Sequence, residues 1–311
     1  MPAVNGWVGQ YSDTPFKFKG MKVAVYARNV RDSRHQEGFL RLVTALAERG
    51  HELHCSASLE DFVHMNLDAK LKLNIFDYFS PGVDIDVLIC VGGDGTILDT
   101  LNLVRNSGVP VLALNTGRLG FLASATTEAI EEVLDEIDKG NYVIEERSML
   151  QLTSDPLIFD YNFALNDFVI HKKETSSMIV VHAYMNGEFL NSYWSDGLIV
   201  STPSGSTGYS LSCGGPILFP KSESFVITPI APHNLNVRPV VVPDNAVISF
   251  EIEGRASSYL ASLDARSQSI TEDVHMAIRK ADHPLRLMRL SSVQFLDTLR
   301  SKLNWGFDRR N

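Results

Sequence analysis

A chain of 311 residues, 44% hydrophobic and 21% charged, holds enough apolar material for one large or two ordinary domains and is not a disordered polymer. A net charge of −9, no basic stripe and no apolar run of membrane-spanning length argue against nucleic-acid and membrane partners. The three cysteines, Cys55, Cys90 and Cys213, include no CxxC pair and read as small buried hydrophobes in a reducing compartment. The first twenty residues lack the basic-then-apolar order of a signal peptide, so a cytoplasmic protein is expected.

Met1–Gly20 shows no periodicity and reads as a flexible tail, with Met21 as a candidate functional start. From there strand and helix patterns alternate. Lys22–Ala27 predicts a buried strand, and Phe39, Leu42, Val43 and Leu46 a helix that Gly50 ends. Glu52–Ser56 and Val87–Val91 read as further strands. A helix follows Gly95 with Ile97, Leu98, Leu101 and Val104 at helical spacing, and Val111–Leu114 gives a fourth strand. Ile130, Val133, Leu134 and Ile137 form the apolar face of another helix, closed by Gly140. Such alternation predicts a parallel sheet covered on both faces, with ligands at the carboxyl ends of its strands.

After about Asn141 the pattern turns β-rich. Asn186-Gly187 is a hairpin signal, and Ile248, Phe250 and Ile252, then Val274, Met276 and Ile278, alternate with polar residues. Ser291–Trp305 returns to near-helical spacing. The domains are therefore expected at 21–140 (α/β) and 141–290 (β-rich), with a helix within 291–311 packing back on the first.

Two stretches carry chemistry. In Val87–Asp99, VLICVGGDGTILD, a strand breaks into Gly92-Gly93-Asp94-Gly95-Thr96 before a helix. Glycines there admit close approach of a ligand to backbone N–H groups, and a helix start favours anions. Asp94 supplies acid/base capacity at a phosphate-friendly turn, the need of phosphoryl transfer to a hydroxyl; the plainer alternative is an Asp that only caps the helix. The pattern is neither a Walker A loop nor GxGxxG. The second stretch, Ser195–Pro216, SDGLIVSTPSGSTGYSLSCGGP, is dense in hydroxyl and amide groups around one aromatic, Tyr209. It suits a nucleobase or sugar, and equally an ordinary serine-rich connection.

GGDGT, NTGRLGFL at Asn115–Leu122, Asn166-Asp167, SDG with TPSGSTGYS, and APHNLNVRP at Ala231–Pro239, in this order, resemble NAD kinases of the bacterial type over about Met21–Leu290. The resemblance implies an α/β N-terminal domain with a parallel, Rossmann-like sheet followed by a β-rich C-terminal domain. It also implies transfer of the γ-phosphoryl group of ATP, with a divalent metal such as Mg2+, to the 2′-hydroxyl of the adenosine ribose of NAD, giving NADP and ADP. Asp94 then maps to the catalytic aspartate, with Gly95 beside it at the substrate. Asn166 and Asp167 hold the adenosine portion, the acid through ribose hydroxyls. Thr207, Gly208, Tyr209, Ser210, Leu211 and Ser212 line the adenine, and Asp196 lies toward the nicotinamide. Arg118, Phe121, Ala231, His233 and Arg266 match further ligand-facing segments. Gly208 stands where the family usually has Ala, and Trp194 and Ser177 stand where basic residues are common, which puts phosphate contacts there in question. Dimers or tetramers joined through the β-rich domain are the family habit. Another kinase of the GGDG type acting on a lipid or sugar, and a non-catalytic nucleotide sensor, are the competing readings. The former lack TPSGSTGYS together with NTGRLGFL, and the latter has no need of a base.

Overall fold

A computed structural model describes residues 20–304, apart from 29, 68–70, 118–119, 124 and 174–177. The chain divides into two compact units, one running up to Glu145 and resuming at Arg286, the other spanning Glu146–Leu285.

The first unit begins with β1 (Lys22–Ala27), α1 (Ser33–Glu48), β2 (Glu52–Ser56), α2 (Glu60–Asn66) and β3 (Leu73–Phe76). It continues through β4 (Val87–Val91), α3 (Asp94–Val104), β5 (Val111–Asn115), β6 (Ala125–Thr126), α4 (Ile130–Asp138) and β7 (Tyr142–Arg147). The sheet order is β3-β2-β1-β4-β5, then the strand Leu285–Leu290, then β7. The β1, β2, β3, β4 and β5 pairings are parallel. β4 and β5 are buried at every position, as continuous apolar runs covered on both faces should be. The order reverses between β1 and β4, because β2 and β3 extend to one side and β5 to the other. That reversal opens a crevice at the strands' carboxyl ends, where Gly92–Gly95 lies.

α1 and α4 cover one side of the sheet through Phe39, Leu42, Val43 and Leu46 with Val133, Leu134 and Ile137. Arg49, at the end of α1, ties the two helices by ion pairs to Glu131, Asp135 and Asp138 at 2.8, 2.7 and 2.7 Å. Cys55 and Cys90 are buried free thiols within β2 and β4, as the sequence suggests. Desolvation pushes Cys55 up to about 12 and Cys90 upward as well, so neither is a nucleophile at neutral pH.

The second unit is built from β8 (Leu150–Asp155), β9 (Phe163–Ala164), β10 (Asp167–Lys172), β11 (Ile179–Met185), β12 (Glu188–Ser195) and β13 (Gly197–Ser201). A short helix, α5 (Tyr209–Ser212), precedes β14 (Ser224–Ile230), β15 (Val240–Pro243), β16 (Ile248–Gly254), β17 (Tyr259–Leu263), β18 (Arg266–Ile270) and β19 (His275–Lys280). These form two six-stranded sheets, β15-β14-β13-β10-β17-β18 and β12-β11-β16-β19-β8-β9. The pairings in both are antiparallel. Phe168, Tyr193, Phe225, Phe250 and Tyr259 lie in the core of this unit. The Asn186-Gly187 hairpin forms as its sequence predicts, both residues having positive φ (52° and 85°).

The structure corrects the expected boundaries in one respect. β7 and the strand Leu285–Leu290, β20, lie in the span 141–290 expected to be β-rich but complete the first sheet. β20 pairs in parallel with β5, Leu287 opposite Val111 and Met288 opposite Leu112. A parallel partner so distant along the chain leaves no local signature. The last helix, α6 (Phe295–Leu303), belongs to the first unit. Among the described residues no helix is long and apolar enough to cross a membrane.

Candidate functional site

Asp94 does not cap α3. Gly93 occupies the N-cap position with extended backbone, and no side-chain hydrogen bond closes the helix start. The Asp94 carboxylate instead accepts the Phe121 N–H at Oδ2 (2.9 Å) and the Leu122 N–H at Oδ1 (3.4 Å). The turn after β4 and the loop after β5 are thus joined through one half-buried side chain. A carboxylate offers about four lone-pair sites, so this docking fixes its direction and leaves acceptor capacity on both oxygens. The contact depends on Gly120: a Cβ there would fall 1.9 Å from Oδ1 and 2.4 Å from Cγ.

Phe121 contributes its backbone to Asp94, while its ring packs against Phe295, centroids 6.4 Å apart. Gly95 sits under Arg28, whose Nη1 lies 3.2 Å from the place a Cβ would take. Arg118 lies outside the described residues, as does Ser177.

In the second unit Asn166 and Asp167 stand at the start of β10, held from two sides. Asp264, in the turn between β17 and β18, accepts the N–H groups of Leu165, Asn166 and Asp167 at 2.9, 2.7 and 3.2 Å. It adopts a left-handed φ of 51° and returns its own N–H to the Asp167 carbonyl. On the other side the Thr202 hydroxyl donates to the Leu165 carbonyl and the Thr202 N–H to that of Asn166. Gly205 packs so closely that a Cβ would lie 2.1 Å from the Asn166 oxygen. A loop held this firmly has its ligand geometry set before any ligand arrives.

Two features mark this turn as poised for a ligand. Burial, and then the Asp264 charge, push Asp167 up to about 7. The buried Asn166 Oδ1 has no hydrogen-bond partner among the described residues, a deficit of about 1–3 kcal/mol that a donating ligand would relieve.

The serine-rich stretch becomes a 3₁₀ turn, Gly205–Thr207, followed by α5. Thr207, through Ser204, is tied locally (3.1 Å), and Ser210 is fully buried with its Oγ 2.8 Å from Thr228 Oγ1. Ser210 is therefore a packing group. Gly208, Tyr209 and Ser212 are exposed, Leu211 partly so. The Tyr209 phenol is raised first by burial, then by Cys213, Asp167 and Asp196, so its ring shares one electrostatic neighbourhood with both acids. Asp196 pairs with Lys172 at 2.6 Å, a cation that sequence reasoning overlooked although it ends the strand beginning at Asp167.

Trp194 is half exposed and its carbonyl accepts the His233 N–H at 2.9 Å, which brings the end of β12 against the loop after β14. Ala231 in that loop has φ 44°, an uncommon conformation for a residue with a Cβ. Arg266 is occupied by the Tyr161 and Phe163 carbonyls and lies over the Tyr161 ring at 5.5 Å. Among the described residues no three His, Cys, Asp or Glu side chains converge as a metal site.

An α/β unit with an aspartate held at a glycine turn, and an all-β unit with a braced Asn-Asp turn, have solved counterparts. Yeast NADH kinase complexed with NADH superposes with a TM-score of 0.80 over 93% of this chain and 89% of that one; at 21% identity the likeness is one of fold. An NAD kinase from Archaeoglobus fulgidus in complex with ATP has a TM-score of 0.66 at 25% identity, covering 91% and 99%. The ATP-NAD kinase N-terminal domain matches residues 69–142 and the ATP-NAD kinase C-terminal domain residues 165–290. The NAD kinase of Cytophaga hutchinsonii is 49% identical over 257 residues, 81% of this chain and 88% of that protein. That of Christiangramia forsetii is 40% identical over 295 residues, 94% and 100%. The chain belongs to the ATP-NAD kinase family.

Proposed function

We propose that the protein transfers the γ-phosphoryl group of ATP to the 2′-hydroxyl of the adenosine ribose of NAD, releasing NADP and ADP. The observation that carries this reading is the Asp94 carboxylate, directed by two backbone amides at the carboxyl end of β4 and not spent on capping its helix.

A ribose hydroxyl is a weak nucleophile, and the triphosphate repels any anion formed from it. Catalysis therefore rests on aligning the hydroxyl with the γ-phosphorus and offsetting charge in the transition state. Asp94 accepts the hydroxyl's hydrogen and so aims its lone pair; the proton passes to the carboxylate as the P–O bond to the leaving ADP breaks. Asn166 and Asp167 hold the adenosine ribose, and a carboxyl that titrates near pH 7 both donates to and accepts from a diol. Thr207, Gly208, Tyr209, Leu211 and Ser212 line the adenine. Asp196, fixed by Lys172, faces the nicotinamide portion, with Ala231 and His233 alongside. Arg266 acts through the Tyr161–Phe163 backbone that it braces.

A divalent cation, Mg2+ by its preference for phosphate oxygens, enters as part of the ATP complex and belongs to the substrate. We further propose a cytoplasmic homodimer or homotetramer without nucleic-acid or membrane partners. Incubating the purified chain with NAD and ATP and identifying the product by mass tests the reading. It requires NADP phosphorylated at the 2′ position, and it fails if lipid or sugar acceptors are phosphorylated instead.

A further inference from the structure

The Asn166–Asp167 turn is rich in acceptors and has spent its backbone donors. The N–H groups of Leu165, Asn166 and Asp167 converge on one side chain, an arrangement able to cradle an anion, and the Asp264 carboxylate already fills it at 2.9, 2.7 and 3.2 Å. What remains for a ligand is the Asp167 carboxyl, 7% exposed, and the Asn166 Oδ1, buried and without a partner among the described residues. An amide oxygen only accepts, and so does a carboxylate. The nearby cations are engaged elsewhere. Arg266, whose charge acts on Asp264, is held by the Tyr161 and Phe163 carbonyls, and Lys172, at the far end of β10, by Asp196 at 2.6 Å.

Such a lining tells a hydroxyl from a phosphate. A ribose hydroxyl donates to an acceptor that burial has left unpaired, whereas a phosphate dianion brings further acceptors and a charge against two carboxyl groups. In dinucleotide-binding folds an acid on the adenosine 2′-hydroxyl goes with NAD, and an arginine placed there accommodates the 2′-phosphate of NADP. Here the acid is present and the neighbouring arginine is spent on backbone carbonyls.

We propose that the Asn166–Asp167 turn selects against the product: it holds the adenosine ribose of NAD through a free 2′-hydroxyl and repels the same ribose once a phosphate stands on it. The inference rests on the kinase reading above and adds what limits the hold on NADP. Asp167 is the discriminating residue, and Asp264 acts through it, by its charge and by fixing the turn. The repulsion grows with pH. Burial and the Asp264 charge push Asp167 up to about 7, so it is roughly half ionised at pH 7 and almost fully ionised at pH 8.5. Around it stand Asp264, whose three N–H bonds favour its ionised form, Arg266 behind Asp264, the Tyr209 phenol on α5, and Asp196 with its partner Lys172. The Tyr209 phenol is raised above its ordinary value and does not ionise in this window. A 2′-phosphate, with its second ionisation near about 6, is a dianion through most of it.

Calorimetry on the full chain, without ATP, gives Kd for NAD and for NADP at pH 7 and at pH 8.5. In the wild type the ratio of Kd for NADP to Kd for NAD should rise about tenfold between the two, because the form that admits a phosphate falls from roughly one half to a few per cent of the population. Asp167→Asn, of the same shape and without the charge, should bring the ratio at pH 8.5 down about tenfold and make it independent of pH. A wild type that binds NADP as tightly as NAD at pH 8.5, or an unchanged ratio in Asp167→Asn, overturns the inference. A merely structural Asp167 would weaken both dinucleotides together and leave the ratio where it was. Should the variant fail to fold, the pH dependence of the wild type decides alone, and a flat ratio rejects the proposal. Because binding is read without turnover, a chain that binds NAD but makes no NADP from it and ATP refutes the kinase reading while the ratio still judges the turn. A chain that binds neither dinucleotide overturns both.

Discussion

Gly120→Ala isolates the contact on which the Asp94 assignment depends. The difficulty that a methyl meets at Gly120 is space. The new methyl would fall 1.9 Å from Oδ1 and 2.5 Å from Oδ2, so the carboxylate must leave its place. Leaving breaks the bonds from Phe121 and Leu122, of 2.9 and 3.4 Å. A hydrogen bond to a charged group contributes about 1.5–3 kcal/mol, and the first is the shorter and stronger of the two. Displacing a catalytic group by about 1 Å costs on the order of 10²-fold in rate. We expect kcat for NAD phosphorylation to fall by about 10²-fold with KM for NAD changed less than about threefold. Asp94→Asn should cost a similar factor, the usual scale for an acid–base group. The decisive measurement is the double variant. If Gly120 acts only by seating Asp94, the combined loss equals that of Asp94→Asn alone. Additive losses, or a folded Gly120→Ala enzyme with kcat within about threefold of wild type, would refute the reasoning.

The Asp264 clamp predicts a split between substrates. Asp264→Ala frees three N–H groups of the Asn166–Asp167 turn, and KM for NAD should rise about tenfold or more while KM for ATP stays within about twofold; Asp264→Asn, which keeps an acceptor oxygen, should recover part of the loss. Asp167→Ala should show the same selectivity, and steady-state kinetics in both substrates checks each. Asp167 also sets a pH dependence. Its carboxyl is held near 7 in the folded state against 3.8 as reference, so the folded protein binds more protons between about pH 4 and pH 7 and loses stability as pH rises across that window. Asp167→Asn should flatten this decline in urea-melt midpoints, and an unchanged slope would reject the burial argument. Arg49→Ala removes a three-acid network between α1 and α4, and should lower stability by about 1 kcal/mol at low salt and by less at high salt.

What the sequence disclosed and what it hid follow from the range of the interactions involved. β1, β4 and β5 were legible because strands buried on both faces write near-continuous apolar runs, and β2, reading ELHCS, through its inward Leu53 and Cys55. β3, reading LNIF, is partly or fully exposed at every position as an edge strand, and its pattern is too weak to find. β20 is apolar enough, but nothing near Leu285 announces a partner at Val111. The same divide runs through the site. GGDG was visible as a turn between a strand and a helix, yet whether Asp94 caps that helix or is held by another loop depends on Gly120, and the glycine of NTGRLGF signals only room. Asn166 and Asp167 could be named from their motif, whereas Asp264 looked like an ordinary turn residue beside Arg266. Its one local cue was an aspartate between Leu263 and Ala265 in a tight β-connection, where a left-handed φ is common for Asp. The residues that touch ligands are thus carried by local motifs, while those that aim them are fixed by long-range packing. A site reconstructed from motifs alone would contain its acid and its ribose ligands but nothing that holds them in direction.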